Sequence, residues 1–251
     1  KFVSYERINI LKNGLIRFAP IGSFNDPFEL EPTITPLSRK FLKSVEKLSE
    51  IELKALKLDE EDLKYSAERA SQVDDYRNKY KSEIRKFGVL SLSTNKDINP
   101  FFTISVPDKK DPRANILMWS HYADSHKGFI IEFSADIIKG IELNKVNYSD
   151  DRDLLTFEDI DENKFDNIFY KKSTEWQYEQ EYRAVLPLEK AAEISKDGYH
   201  LFRIKKGSIN SITFGCAMSE DNKKSIVSLI NNDDSFKKMT FNHARLNEEG
   251  F

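Results

Sequence analysis

The chain is poor in the residues and motifs that usually betray chemistry. One cysteine, Cys216 in "FGCAM", stands among 251 residues. That excludes a disulfide framework within the chain and a thiolate metal site, and it fits a reducing cytoplasm, the location expected here. With no base adjacent in sequence, Cys216 reads as a small buried residue rather than a nucleophile. No apolar run approaches the length of a membrane span; "FIIEF" (129–133) is among the longest. No basic-then-apolar leader is visible at the N-terminus, so no membrane association is expected. Positive charge is not in excess either. Lys and Arg number 39 against 42 Asp and Glu, for a net charge of -3 and a pI near 5.9. A broad non-specific nucleic-acid surface normally needs a basic excess, so a general DNA or RNA binder is disfavoured, although a small basic groove is not. The phosphate loop, the dinucleotide glycine fingerprint and the GxSxG elbow are absent, which argues against ATP-driven and Rossmann-type chemistry. HExxH is absent too, and His121 and His126 are five apart, a poor spacing for one ligand face, so no metal site is assigned.

Aromatic residues are plentiful, with 18 Phe and 10 Tyr. A hydrophobic content of 39% suffices for a sizeable core, as one domain or one domain with an insertion. Charged residues at 32% and a mean hydropathy of -0.58 point to a water-exposed surface. "RINILKNG" (7–14) reads as a short helix stopped by Gly14, and "LIRFAP" (15–20) as a strand. "GSFNDPFE" (22–29) is turn chemistry. Residues 36–86 are rich in Lys, Glu, Asp and Leu; Phe41, Leu42, Val45 and Leu48 fall at helical spacing, and 60–87 continues as a charge-laced helix. This is a helical insertion with a solvated face, set in a single domain over 1–251. Then "FGVLSLST" (87–94) is a strand and 95–112 a loop. Asp111 and Pro112 start a helix over 113–126, which Gly128 ends. "FIIEF", "LNKVNYS" (143–149), "WQYEQEYRAVLP" (176–187), "YHLFRI" (199–204), "INSITFG" (209–215) and "KKMTFNHARL" (237–246) read as strands. Helices are expected over 161–173 and 219–232. The fold class is α+β, with mostly antiparallel small sheets and a helical insertion.

Four constellations carry polar groups in suggestive patterns. In "SFNDPFE" (23–29), Phe24, Asn25 and Asp26 either fix a turn or, with Glu29, face a pocket. In "MWSHYADSHKGF" (118–129), a helix places Trp119, Tyr122 and His126 on one stripe and Leu117 and His121 on the next, either a packed face or a ligand pocket. In "EWQYEQEYRAVLP" (175–187), strand geometry puts Glu179 and Glu181 on one face. They are either ordinary strand-edge acids or a working pair in which one carboxylate meets a developing cation and the other tunes it. In "SLST" (91–94), Ser91 and Ser93 share a face, which is either a solvent face or a support for a sugar or a carboxylate.

The stretches "LKNGLIRFAPIGSFNDPFE", "ILMWSHYADSHKGFIIEF", "KSTEWQYEQEYRAV" and "INSITFG", in this order over 1–32 and 88–216, resemble the bacterial family termed domain of unknown function 2971. That resemblance implies no activity. It does imply that the four constellations belong together, and convergence of 24–29, 91–94, 119–126 and 179–183 on one pocket is expected. Mono-ADP-ribosyltransferases are a second resemblance, through an early Arg in "YERIN", a hydroxyl strand in "LSLST" and a Glu-x-Glu strand in "EQEYRAVLP". The pattern departs at Thr94-Asn95, where a third Ser is out of register. This resemblance implies an ADP-ribosyltransferase-like fold and NAD as co-substrate. It makes Glu181 the catalytic glutamate at the nicotinamide ribose, with Glu179 orienting or deprotonating the acceptor. Ser91 and Ser93 would support Glu181, and Arg7 would bind a phosphate. Trp119, His121, Tyr122 and Arg183 enter as pocket residues. It further implies a macromolecular acceptor, protein or nucleic acid, and, for a toxin or phage-defence effector, an antitoxin or defence-system partner. Two other readings stand beside it. One is a metal-dependent nuclease or phosphodiesterase with Mg²⁺ on Asp26, Glu29, Glu179 and Glu181 and with Arg183 and His121 facing phosphates. The other is a non-catalytic binding module.

Overall fold

The structure is a computed structural model that describes residues 1–46, 48, 60–94, 111–233, 236 and 239–245. Most of the loop expected over 95–112, part of the helical insertion and parts of the last expected strand lie outside those residues.

The architecture is α+β, built from small sheets that are mostly antiparallel. One four-stranded sheet runs in the order Phe2–Val3, Phe129–Phe133, Ile209–Phe214 and Thr240–His243. Its last pair is parallel and the others antiparallel. The second runs Ala19–Pro20, Phe87–Ser93, Glu181–Pro187 and Asn144–Lys145, antiparallel throughout. A three-stranded sheet joins Glu193–Ile194, His200–Arg203 and Leu15–Arg17. Two short parallel pairs complete the set: Thr33–Thr35 with Leu154–Thr156, and Asn147–Tyr148 with Lys171–Lys172.

The long pair Phe87–Ser93 and Glu181–Pro187 positions the site. Its register sets Glu181 opposite Ser93, Arg183 opposite Ser91 and Val185 opposite Val89. Side chains alternate along a strand, so these six share one face and Leu90, Leu92, Ala184 and Leu186 the other. The second face packs into the main core with Phe18, Phe129, Phe202 and Ile212. On the first face, Val89 and Val185 enter a second core around Tyr80, Phe157 and Phe169. The polar end of that face is therefore backed by one apolar core and flanked by the other, which fixes it in place.

Helices occupy Arg39–Val45, Glu60–Ala70 and Val73–Ile84. Glu60–Ala70 buries no side chain, as its charge run suggests, whereas Val73–Ile84 buries Tyr80 and Ile84 in the second core. Gly14 caps its helix in the left-handed region, at φ 64°.

Three expectations are corrected. The helix placed over 113–126 is shorter, Ile116–Tyr122, capped by Asn115 and preceded by the 3-10 turn Pro112–Ala114. It stops because Asp124, Ser125 and His126 all adopt positive φ, which no helix accommodates. The helix placed over 161–173 is instead a short helix, Phe157–Asp161, with a Thr156–Asp159 capping box, followed by the 3-10 turn Asp166–Tyr170. Cys216 is half-buried, not buried.

Candidate active site

Glu179 and Glu181 are not strand neighbours. Thr174–Glu179 is a 3-10 helix, Gln180 is left-handed at φ 47°, and the strand begins at Glu181. The left-handed residue reverses the chain locally, so the two carboxylates meet by a kink rather than by alternation. Neither is an exposed edge acid: Glu179 is 4% and Glu181 3% exposed.

Both turn toward Lys172, a residue that no local pattern singled out. Lys172 reaches the site because its two-residue strand pairs with Asn147–Tyr148. Its Nζ donates to Glu179 Oε2 at 2.6 Å and to Glu181 Oε2 at 3.3 Å, and lies 3.5 Å from Glu29 Oε2. Arg183 closes the network. Its Nε donates to Glu181 Oε1 at 2.7 Å and its Nη2 to Glu181 Oε2 at 2.9 Å. Nη2 also contacts Glu29 Oε1, and Nη1 donates to the Phe169 carbonyl at 2.7 Å. Three carboxylates thus surround two cations in a buried cluster. Such a cluster is weak evidence of stability, since apolar residues of the same volume often serve as well.

The shifts follow from this geometry. Burial alone would raise the Glu181 carboxyl, but the Arg183 guanidinium and then Lys172 outweigh it and pull the pKa down to about 2. Burial would lower Lys172, and the charges of Glu181, Glu29 and Glu179 hold it above the ordinary lysine range instead. Burial raises Glu29, and its two cations offset only part of that. Carboxyls with environments that push them apart are a common mark of a working site.

Tyrosines and aromatics frame the carboxylates. The Tyr122 hydroxyl donates to Glu179 Oε1 at 2.5 Å. Burial, then the Glu179 charge, keeps that phenol above its usual range. The Tyr148 hydroxyl accepts from the Glu181 amide at 2.8 Å, and burial pushes its pKa up to about 12. Trp176 lies 5.0 Å from Lys172 Nζ and donates its Nε1–H to Asp26 Oδ2 at 3.1 Å. Asp26 Oδ1 accepts from the Phe28 amide at 2.8 Å, so Asp26 both fixes the turn and faces the site.

These groups open on a cavity of about 520 Å³, within the range of small-molecule sites. Of the residues expected at a pocket, Arg7, Phe24, Asn25, Asp26, Ser91, Ser93, His121, Tyr122, Glu179 and Glu181 line it. Two do not. Trp119 is 3% exposed, packs edge-on to Phe2 at 5.3 Å and donates its Nε1–H to the Arg113 carbonyl at 2.7 Å; it is core. Arg183 is fully buried beneath the carboxylates it holds. His126 leaves the expected helical stripe and stacks on Trp119. Lys172, Trp176, Arg17 and Glu29 also line the cavity. Three of the four carboxylates expected at a metal ion, Glu29, Glu179 and Glu181, surround the Lys172 ammonium instead, and Asp26 is bonded by Trp176 and the Phe28 amide. Among the described residues no group of three or more His, Cys, Asp or Glu is arranged to hold a metal ion.

Residues 118–184 match the model of a family described as protein of unknown function (DUF2971), which bears out the resemblance to that family across this segment. The match takes in Tyr122, Lys172, Trp176, Glu179, Glu181 and Arg183, most of the charged cluster. No curated protein and no solved structure matches the chain. Among the described residues no helix is long and apolar enough to cross a membrane.

Proposed function

We propose that the cavity binds NAD and that the protein is a mono-ADP-ribosyltransferase-like enzyme, with Glu181 facing the nicotinamide ribose. The observation that carries this reading is the fixed negative charge of Glu181 on the cavity wall, level with the hydroxyl-bearing residues Ser91 and Ser93. A carboxyl with a pKa near 2 is ionised at any physiological pH. It is a poor proton acceptor and a good stabiliser of cationic character at an anomeric carbon. Arg183, Lys172 and the Ser91 hydroxyl already bond Glu181, so a ribose hydroxyl would take the place of the Ser91 hydroxyl. Glu181 is already positioned and desolvated, so little reorganisation accompanies the reaction. In the transfer, the bond from the ribose anomeric carbon to nicotinamide breaks and nicotinamide leaves with the electron pair. A hydroxyl, amine or guanidine of the acceptor forms the new bond, and its proton passes to Glu179 or solvent. The acceptor is a macromolecule, protein or nucleic acid, and a role as a toxin or phage-defence effector, with an antitoxin or defence-system partner, follows from the same reading.

The phosphodiesterase reading is weaker. Its carboxylates must be free to gather a divalent ion, and Lys172 sits at their centre. The test is release of nicotinamide from NAD by wild type and Glu181→Gln, with and without EDTA. EDTA-insensitive release by wild type, lost in Glu181→Gln at a temperature where its denaturation curve shows it still folded, supports the proposal. Release that survives in Glu181→Gln, or its absence from both, refutes it.

A further inference from the structure

The cavity holds a second charged feature besides the carboxylate cluster. Arg7 and Arg17 both line it, and both lie against the ring of Tyr199, at 5.4 Å and 4.0 Å from its centroid. Arg7 comes from the turn Tyr5–Ile8. Arg17 ends the strand Leu15–Arg17, whose pairing with His200–Arg203 brings Tyr199 alongside. The other buried cations of this cavity have partners: Lys172 has three carboxylates, and Lys1 Nζ donates to the Ser91 carbonyl at 2.7 Å. These two do not: among the described residues neither guanidinium is in an ion pair or donates a side-chain hydrogen bond. Arg17 Nε is buried with no acceptor, an unsatisfied donor of a kind that native structures rarely keep without a reason. Burial, and then the neighbouring Arg7 charge, pulls the Arg17 pKa below its usual value. Two like charges held together by one aromatic ring, with donors left over, are a preformed counter-site. The guanidinium fork matches a phosphate bidentately.

We propose that Arg7 and Arg17, backed by Tyr199, form a subsite for a phosphate or pyrophosphate group of the ligand. The inference rests on the NAD reading for the natural ligand, and it assigns Arg17 and Tyr199 a part in binding. Tyr199 is a positioning residue, since it touches the guanidiniums and not the cavity. Arg17→Gln is expected to fold, because it removes a charge that repels Arg7.

The test is calorimetric titration of wild type, Arg17→Gln and Arg17→Lys with inorganic pyrophosphate, then with NAD, with melting temperatures recorded for each. Wild type is expected to bind one pyrophosphate per chain. Arg17→Gln should weaken binding about tenfold or more, as for loss of a charge-assisted hydrogen bond, and Arg17→Lys by less. Absence of saturable pyrophosphate binding to wild type overturns the subsite, as does Arg17→Gln binding like wild type. Arg17-dependent binding of pyrophosphate without binding of NAD upholds the subsite and refutes the NAD reading. NAD binding that is indifferent to Arg17 does the reverse.

Discussion

Replacing Arg183 by Gln removes one charge from the cluster and shortens the side chain while keeping it polar. Arg183 is wholly buried. It satisfies Glu181 through both carboxylate oxygens, contacts Glu29, and binds the Phe169 carbonyl. Without it, three buried carboxylates share the single charge of Lys172. Breaking a buried pair by removing one partner costs about 3–5 kcal/mol. The Glu181 carboxyl, held at about 2 against the cost of burial chiefly by the Arg183 guanidinium, agrees in direction. A depressed carboxyl pKa contributes stability that is complete above the unfolded value and is lost as pH falls toward 2. The deficit of Arg183→Gln is therefore full at neutral pH, about 3–5 kcal/mol, and shrinks as pH drops below about 4.5. Urea denaturation of both proteins from pH 7 to 3.5 reads it directly. At neutral pH the melting temperature should fall by about 6–20 °C. A neutral-pH deficit under about 1 kcal/mol, or one that stays flat across the range, would refute the electrostatic account of this cluster.

Other outcomes follow from the same geometry. Lys172→Met leaves Glu29, Glu179 and Glu181 around an apolar side chain and should destabilise by about 3–5 kcal/mol at pH 7; a denaturation midpoint equal to wild type contradicts this. Ser125 is exposed and sits at φ 50° between two other left-handed residues. Ser125→Gly should therefore stabilise by about 1 kcal/mol, measured by urea midpoint, and a loss of stability would show that the turn is not strained there.

Much of the site was legible because it lies on regular elements. The strand expected over "FGVLSLST" is present, with Ser91 and Ser93 on one face, whereas of the strand expected over "WQYEQEYRAVLP" only Glu181–Pro187 is extended. Asn25, Asp26 and Pro27 marked a turn, and Asp26 does bond its own backbone there. Irregular backbone hid the rest. Gln180 carries no signal for the left-handed region, so the kink that turns Glu179 inward is invisible in "YEQEY". Asp124, Ser125 and His126 likewise do not announce the turn that cuts the aromatic helix short. It is held against Gly215, where a Cβ would come within 2.1 Å of the His126 carbonyl. Lys172 was missed for a different reason. Its environment comes from Glu29, Glu179 and Glu181 on three separate elements, and nothing in "YKKST" distinguishes it from the exposed lysines elsewhere. Arg17 is similar: only the pairing of its strand with His200–Arg203 brings it to Tyr199.

Calorimetric titration of the protein with NAD, beside Glu181→Gln, tests most directly whether this cavity takes NAD. One NAD should bind per chain in both proteins, since Glu181 acts on the reacting ribose rather than as the main anchor, with nicotinamide released by wild type alone. Absence of a binding heat in wild type at millimolar NAD contradicts it.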